Sequence, residues 1–266
     1  MNNPSFIYGT AWKEDQTELL VREALAAGFR AFDTANQRKH YYEAGVGAAI
    51  RGVPRDELFL QTKYTYVDGQ DHRLPYDPQA GFTTQVNQSF ASSLEHLGVD
   101  RIDSYVLHGP RTRSGLTAAD REVWRAMEEL QRRGLTRFIG ASNVTAQQVA
   151  LLCEFAEVKP AFVQNRCYAQ LGWDREVREV CRREGVIYQG FSLLTANVRE
   201  LRMETMRSIA ARHRTNVATL VFAFAMHAGM IPLTGTTDPQ HMREDLAALD
   251  LKLDEEEVTA IEGISG

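Results

Sequence analysis

Several features that would assign a chain of 266 residues quickly are missing from this one. Its three cysteines, Cys153, Cys167 and Cys181, are an odd number in no metal-ligand spacing, so neither a disulfide framework nor a thiolate metal centre is expected. The seven histidines show no ligand spacing with one another or with carboxylates, so no metal is expected and a metal-dependent hydrolase is disfavoured. No Gly-x-Gly-x-x-Gly occurs, which argues against a doubly wound dinucleotide-binding domain. The greasiest stretch, Val217 to Met226, falls far short of the roughly 20 residues a membrane span needs and ends at His227. Lys and Arg total 30 against 35 Asp and Glu, a net charge of −5, so the balance calls for neither nucleic acid nor an anionic membrane. The opening Met1-Asn2-Asn3-Pro4-Ser5 has no basic segment followed by an apolar one, so no secretory signal is read and a cytoplasmic location is expected.

What is present is an alternation. Short β-branched or aromatic runs at Phe29–Asp33, Leu58–Lys63, Ile102–His108, Phe138–Ala141, Phe162–Asn165, Val186–Gly190, Met230–Leu233 and Leu249–Leu253 are separated by segments of helical period. Val86, Phe90, Leu94 and Leu97 form one apolar stripe, and Val149, Leu152, Cys153 and Ala156 another. Thr145 with Gln148, and Asp254 with Glu257, have capping-box spacing at helix starts. Eight such units, with no linker or short repeat, predict an α/β fold: one (β/α)8 TIM-type barrel domain over residues 1–266. The stretch Thr65 to Gly81, with Asp68-Gly69, Pro75 and Pro78, reads as a long structureless loop after the second run, hanging over the C-terminal mouth.

Asp33, Lys63 and His108 stand at the ends of the first three runs, and barrel closure would bring them to one rim. Each alone has an ordinary reading as a turn cap, a solvated charge or a loop histidine. Three ionisable side chains at three successive strand ends favour a site.

The order of further motifs is distinctive. Gly28-Phe29-Arg30-Ala31-Phe32-Asp33-Thr34-Ala35, Gln61-Thr62-Lys63, Val106-Leu107-His108, Gly140-Ala141-Ser142-Asn143 and Val163-Gln164-Asn165 together resemble the successive signatures of the aldo-keto reductases. The resemblance runs from Gly9-Thr10-Ala11-Trp12 to about Ile261. It implies reduction of aldehydes or ketones by NADPH, with NADH as the alternative, through an Asp, Tyr, Lys, His tetrad. Asp33, Lys63 and His108 match that tetrad. The tyrosine does not, because the loop Asn36 to Glu43 carries extra residues and Arg38 stands at the usual spacing. Tyr41 is the favoured proton donor, with Tyr42 and His40 as alternatives. A phenol near pKa 10 is a reluctant acid, and a cationic Lys63 paired with Asp33 is expected to lower it. A neutral His108 would orient the carbonyl.

By the same resemblance Thr10, Asp33, Ser142, Asn143 and Gln164 would hold the nicotinamide end of the cofactor. Phe191 would stack on its ring, and Ser192 and Leu194 would lie along the pyrophosphate. Gly235 and His241 stand where the family commonly has a lysine and an arginine for the 2′-phosphate, which implies weaker discrimination against NADH. Gly235, Thr236 and Thr237 offer backbone amides and hydroxyls instead, Arg243 is a candidate compensating cation, and Glu244 and Asp245 stand at the family's Glu-Asn pair near adenine, Asp245 as a departure from it. Gly109-Pro110 after His108, and the end of the chain at Gly266, imply an open pocket walled by Trp12, Tyr64 and Tyr66, with His72 and Arg73 in the lid. Ordinary alternatives are strand termination for Ser142-Asn143 and surface aromatics for the walls. The expected partner is a small carbonyl compound, with a monomer or weak dimer as the assembly. The rival from another class is a cofactor-binding regulatory protein on the same barrel without turnover.

Overall fold

The computed structural model describes residues 3–266. Eight parallel strands close in sequence order: β1 Ile7–Gly9, β2 Ala31–Asp33, β3 Phe59–Tyr64, β4 Ile102–Leu107, β5 Thr136–Ser142, β6 Phe162–Arg166, β7 Ile187–Phe191 and β8 Met230–Thr234. β8 returns to β1 in the register Ile7 to Leu233, completing the (β/α)8 TIM barrel. Parallel strands covered by helices are buried on both faces, and β3, β4 and β8 are buried at every position.

One expected strand is absent, and one strand lies outside the expected runs. β1 was missed because it is only three residues long, following Pro4-Ser5 and ending at Gly9, too short for a period to show. Leu249–Leu253 is not a strand. A 3-10 turn over Ala247–Leu249 leads to an extended connection into the helix Glu255–Glu262, and its alternation packs Leu251 and Leu253 against the core while Asp250 and Lys252 face water. Asp33, Lys63 and His108 therefore stand at the C-terminal ends of the second, third and fourth strands rather than the first three.

Strand parity builds the bore in layers, since residues two apart share a face. Ile7, Ala31, Phe59, Phe162, Ile231 and Leu233 form an apolar floor. Two residues further along their strands, Asp33, Gln61 and Gln164 follow Ala31, Phe59 and Phe162, and Lys63 follows Gln61. The polar layer thus lies toward the C-terminal mouth, above a dry plug.

The outer helices pack as their stripes require: Val86, Phe90 and Leu97 are buried in the helix Phe82–Leu97, with half-buried Leu94 packed on the same core, and Val149, Leu152 and Cys153 are buried in Ala146–Phe155. Both expected capping boxes form, and a third joins Thr117 to Asp120. All three cysteines are buried and free.

The segment from Thr65 to Gly81 is not structureless. It opens with a 3-10 turn at Val67–Gly69 and is tied down by Gln37 Nε2 to Gly69 O (2.6 Å), Gln70 Nε2 to Asn36 O (2.8 Å) and Tyr76 OH to Thr65 O (2.7 Å). Tyr64, Tyr66 and Tyr76 pack ring against ring beneath it, a side-chain cluster that Gly, Pro and Asp punctuation conceals.

Candidate active site

The C-terminal mouth holds a cavity of about 500 Å³. On one side it meets Asp33, Tyr41 and His108; on the other, Phe191 to Thr195 and Leu233 to Thr237. Behind Asp33 lies Lys63, fully buried, whose Nζ donates to Asp33 Oδ1 (2.7 Å), Asp33 Oδ2 (2.6 Å) and Thr34 O (2.8 Å). An ammonium that has lost its water is tolerable only with such a set of acceptors. Burial lowers the Lys63 pKa, and the Asp33 charge and hydrogen bonds oppose that shift.

Of the three candidates for proton donor, Tyr41 alone lies between Lys63 and His108. Lys63 Nζ is 5.1 Å from the centre of its ring, and the ring meets His108 edge to face with centroids 5.9 Å apart. Its hydroxyl has no hydrogen-bond partner among the described residues. Tyr42 turns away and carries the Arg38 guanidinium on its ring at 4.3 Å. His40 stacks against Trp12 at 3.9 Å, and its carbonyl accepts from the Trp12 amide (2.7 Å). The extra residues of this loop thus pin the β1 loop rather than occupy the mouth.

The electrostatics differ from the expectation in one respect. The Tyr41 phenol is pushed well above its usual range, first by burial and then by the Asp33 carboxylate. Burial and the Asp33 carboxylate outweigh any lowering by Lys63, whose ammonium is held by two short bonds to Asp33. His108 is driven down to about 3, by burial, then by Lys63 and His40, so its ring is neutral at any ordinary pH. Its Nδ1 lies 2.7 Å from Thr65 Oγ1.

The remaining expected residues divide into those that meet the cavity and those that do not. Ser142, Asn143, Gln164, Phe191, Ser192, Leu194, Gly235, Thr236, Thr237 and Trp12 line it. Ser142 Oγ donates to Gln164 O (2.6 Å), and Asn143 Nδ2 donates to His108 O (2.7 Å) and Ser142 Oγ (3.2 Å). Thr10 is buried in the wall, where its Oγ1 donates to Asp33 O (2.9 Å). Asp245 turns inward to accept from Thr234 Oγ1 (2.7 Å), Glu244 accepts from Asn216 and Gln240, and His241 is exposed in the first turn of the helix Pro239–Leu246. Tyr64 is fully buried with its hydroxyl on Gln85 (3.0 Å), and Tyr66 donates to Asp120 (2.9 Å). Neither borders the main cavity. Tyr66 instead edges a second cavity of about 450 Å³ on the far side of His108, with Gln37, His40, Asp68 and Arg111. Arg73 is held by Asp71 and the Arg38 carbonyl.

Lys13 was not singled out in the sequence, although it directly follows Gly9-Thr10-Ala11-Trp12. It is 5% exposed, lines the cavity, and donates to Gly235 O (2.8 Å). It has no carboxylate partner among the described residues, and burial lowers its pKa to about 8. A side chain at position 235 would have its Cβ 4.0 Å from the Lys13 Nζ, so the ammonium stands beside the position where the family's lysine would begin. Only the loss of a cation at 235 hinted at it.

Comparison with known proteins gives a consistent picture. The chain matches the model of the aldo/keto reductase family over residues 6–265. An aldo-keto reductase of Mycobacterium avium is 31% identical over 94% of this chain and 82% of that protein. A glyoxal reductase of Bacillus subtilis is 27% identical over 92% and 82% respectively. The crystal structure of a Bombyx mori aldo-keto reductase in complex with NADP is 25% identical, with a TM-score of 0.84 over 98% of this chain and 89% of that one.

Proposed function

The chain belongs to the aldo/keto reductase family of oxidoreductases, and on that premise we propose that it reduces aldehydes or ketones with NADPH, using Tyr41 as the proton donor. The observation that carries this reading is the meeting of Tyr41, Lys63, Asp33 and His108 beside one cavity.

The cavity suits a dinucleotide. Phe191 offers an aromatic face, and among the described residues Gln164 Oε1 is an acceptor with no partner and Lys13 a buried cation with no counter-ion. The Gly235–Thr237 backbone extends that anion-binding edge. Asn143 would exchange its bond to Ser142 for the carboxamide oxygen, and Gln164 Oε1 would accept from the carboxamide nitrogen. NADPH, when bound there, supplies the hydride. Arg243 is exposed and does not line the cavity, so Lys13 is the cation on which NADPH preference over NADH would depend.

The chain's own residues manage the charge. Reduction builds negative charge on the carbonyl oxygen, and an alkoxide is a stronger base than a phenolate, so a phenol held protonated by burial still gives up its proton. Lys63, 5.1 Å from the Tyr41 ring centre, favours the phenolate that remains, and Asp33 holds that ammonium in place. His108 acts as a neutral donor: the Thr65 hydroxyl has no other acceptor among the described residues, so the arrangement favours its donating to Nδ1 and leaving the hydrogen on Nε2.

The experiment is a fluorescence titration with NADPH and NADH, followed by turnover of 4-nitrobenzaldehyde read at the reduced-nicotinamide absorbance. Tyr41→Phe is expected to keep cofactor binding and lose about 10²- to 10⁴-fold in kcat, the usual worth of a positioned acid. Tyr42→Phe is expected to retain turnover. Tight binding without turnover across a panel of carbonyls would instead make the protein a cofactor-binding regulator.

A further inference from the structure

The interior of a (β/α)8 barrel is usually filled by branched apolar side chains. Here three glutamines from β3, β6 and β7 occupy it beneath Asp33: Gln61, Gln164 and Gln189, none more than 3% exposed. Gln61 Nε2 donates to Asp33 Oδ1 (2.8 Å) and Gln189 Oε1 (2.8 Å). Gln164 Nε2 donates to the same two atoms, each at 3.0 Å. Gln189 Nε2 returns a bond to Gln61 Oε1 (3.1 Å).

An amide's oxygen and nitrogen are alike in shape, so its orientation is fixed only by what its partners accept or donate. Asp33, paired with Lys63, can only accept. Gln61 and Gln164 must therefore both turn their NH2 groups to it, and the second hydrogen of each meets the Gln189 oxygen. That leaves the Gln189 NH2 to face the Gln61 oxygen. Turning over any one amide would set oxygen against oxygen in a buried site, where an unpaired polar atom is costly. The one acceptor left over is Gln164 Oε1, on a residue that lines the cavity. Gln61 and Gln189 do not line it.

We propose that Gln189, itself oriented by Gln61, is a positioning residue that joins Asp33 in locking Gln164 with its carbonyl oxygen toward the cavity, so that the site selects a nicotinamide ring substituent carrying N–H donors. The proposal rests on the cavity being the nicotinamide site. It gives a function to two buried amides that touch neither cofactor nor substrate.

The test compares binding, by protein fluorescence, of NADP⁺ and of its 3-acetylpyridine analogue, in which a methyl replaces the carboxamide NH2. The parent protein is expected to prefer NADP⁺ by about tenfold, the worth of one well-made hydrogen bond at such a site. In Gln189→Leu the preference is expected to fall below about threefold while the analogue's affinity changes little, since Gln164 Nε2 then keeps only its bond to Asp33 Oδ1; Gln61→Leu, which leaves both Gln164 bonds in place, is expected to lower the preference less. A general packing defect would weaken both ligands equally and leave the ratio intact. Gln189→Met and Gln61→Met, more adaptable in a core, serve if the leucine variants do not fold. Gln164→Leu is the reference. Loss of the preference in Gln164→Leu but not in the Gln189 variants overturns the positioning role. A preference absent in the parent, or intact in Gln164→Leu, overturns the nicotinamide reading beneath it.

Discussion

Lys13 carries its charge where burial opposes it. The ammonium has one carbonyl acceptor and the Tyr8 ring at 5.1 Å, and its pKa falls to about 8. A bound phosphate favours the charged form, so above pH 8 binding must first take up a proton. NADPH affinity is therefore expected to be level between about pH 6.5 and 7.5 and to weaken by up to about tenfold per pH unit above 8. Lys13→Met should weaken binding at pH 7 and abolish that slope, both read by fluorescence titration. Asp245 has the opposite relation to pH. Burial raises its carboxyl to about 6, above the ordinary 3.8, so the folded state holds this proton more tightly than the unfolded one. Its contribution to stability is complete below about pH 3.8 and is lost as pH rises through 6. Asp245→Asn preserves an acceptor for Thr234 Oγ1 without the buried charge. It is expected to stabilise the fold by about 1–3 kcal/mol at pH 7, from 1.4 kcal/mol per pKa unit, and by almost nothing at pH 3.5. Urea unfolding at the two pH values measures the difference.

The helix Glu43–Ile50 connects the loop that carries Tyr41 to the rest of the barrel. Glu43, at its start, accepts from Thr62, from Ser93 Oγ (3.0 Å) and from His96 Nδ1 (3.1 Å). At Gly47 the backbone passes so close to the helix Phe82–Leu97 that an added Cβ would lie 2.1 Å from His96 O and 2.9 Å from Leu97 Cα. Gly47→Ala gains about 1 kcal/mol of helix propensity, but the obstructing atoms are backbone and cannot turn aside. Overpacking is expected to win, with a net loss of about 1–3 kcal/mol in urea unfolding and reduced turnover as the Tyr41 loop shifts. Elements of this kind differ in how far the sequence reveals them. Thr145 with Gln148 and Asp254 with Glu257 were legible because a capping box is complete within four residues. β1 was not, having three residues and a partner, Leu233, at the far end of the chain. Leu249–Leu253 showed strand alternation because any extended segment lying on a core exposes every second residue. The Thr65–Gly81 segment showed turn residues but not the aromatic cluster that anchors it.

At the scale of the whole barrel, closure assembles the mouth from residues remote in sequence, which limits what local reading can find. Asp33, Lys63 and His108 were legible because each ends its own strand, whereas Gln61 and Gln189 meet across the bore with 128 positions between them. The same limit applied to the substrate side. Tyr64 and Tyr66 appeared as aromatic walls, but strand parity and the tyrosine cluster turn them into the core. Beyond His108 the second cavity is bounded instead by Gln37, His40, Asp68 and Arg111, the last two paired at 3.2 Å. Trp12, 71% exposed, is the large apolar side chain at the main cavity's rim. In a closed hydrophobic pocket each added methylene is worth about 1–3 kcal/mol, at least tenfold in specificity. Walls that remain hydrated and carry paired charges return much less. Across the series from propanal to hexanal, kcat/KM is therefore expected to rise by less than about twofold per methylene. Arg111→Leu, which replaces a charge with an apolar wall, should steepen that rise. A tenfold gain per methylene in the parent would show that the alkyl chain finds an apolar enclosure, and would move substrate binding away from this cavity to the Trp12 side of the mouth.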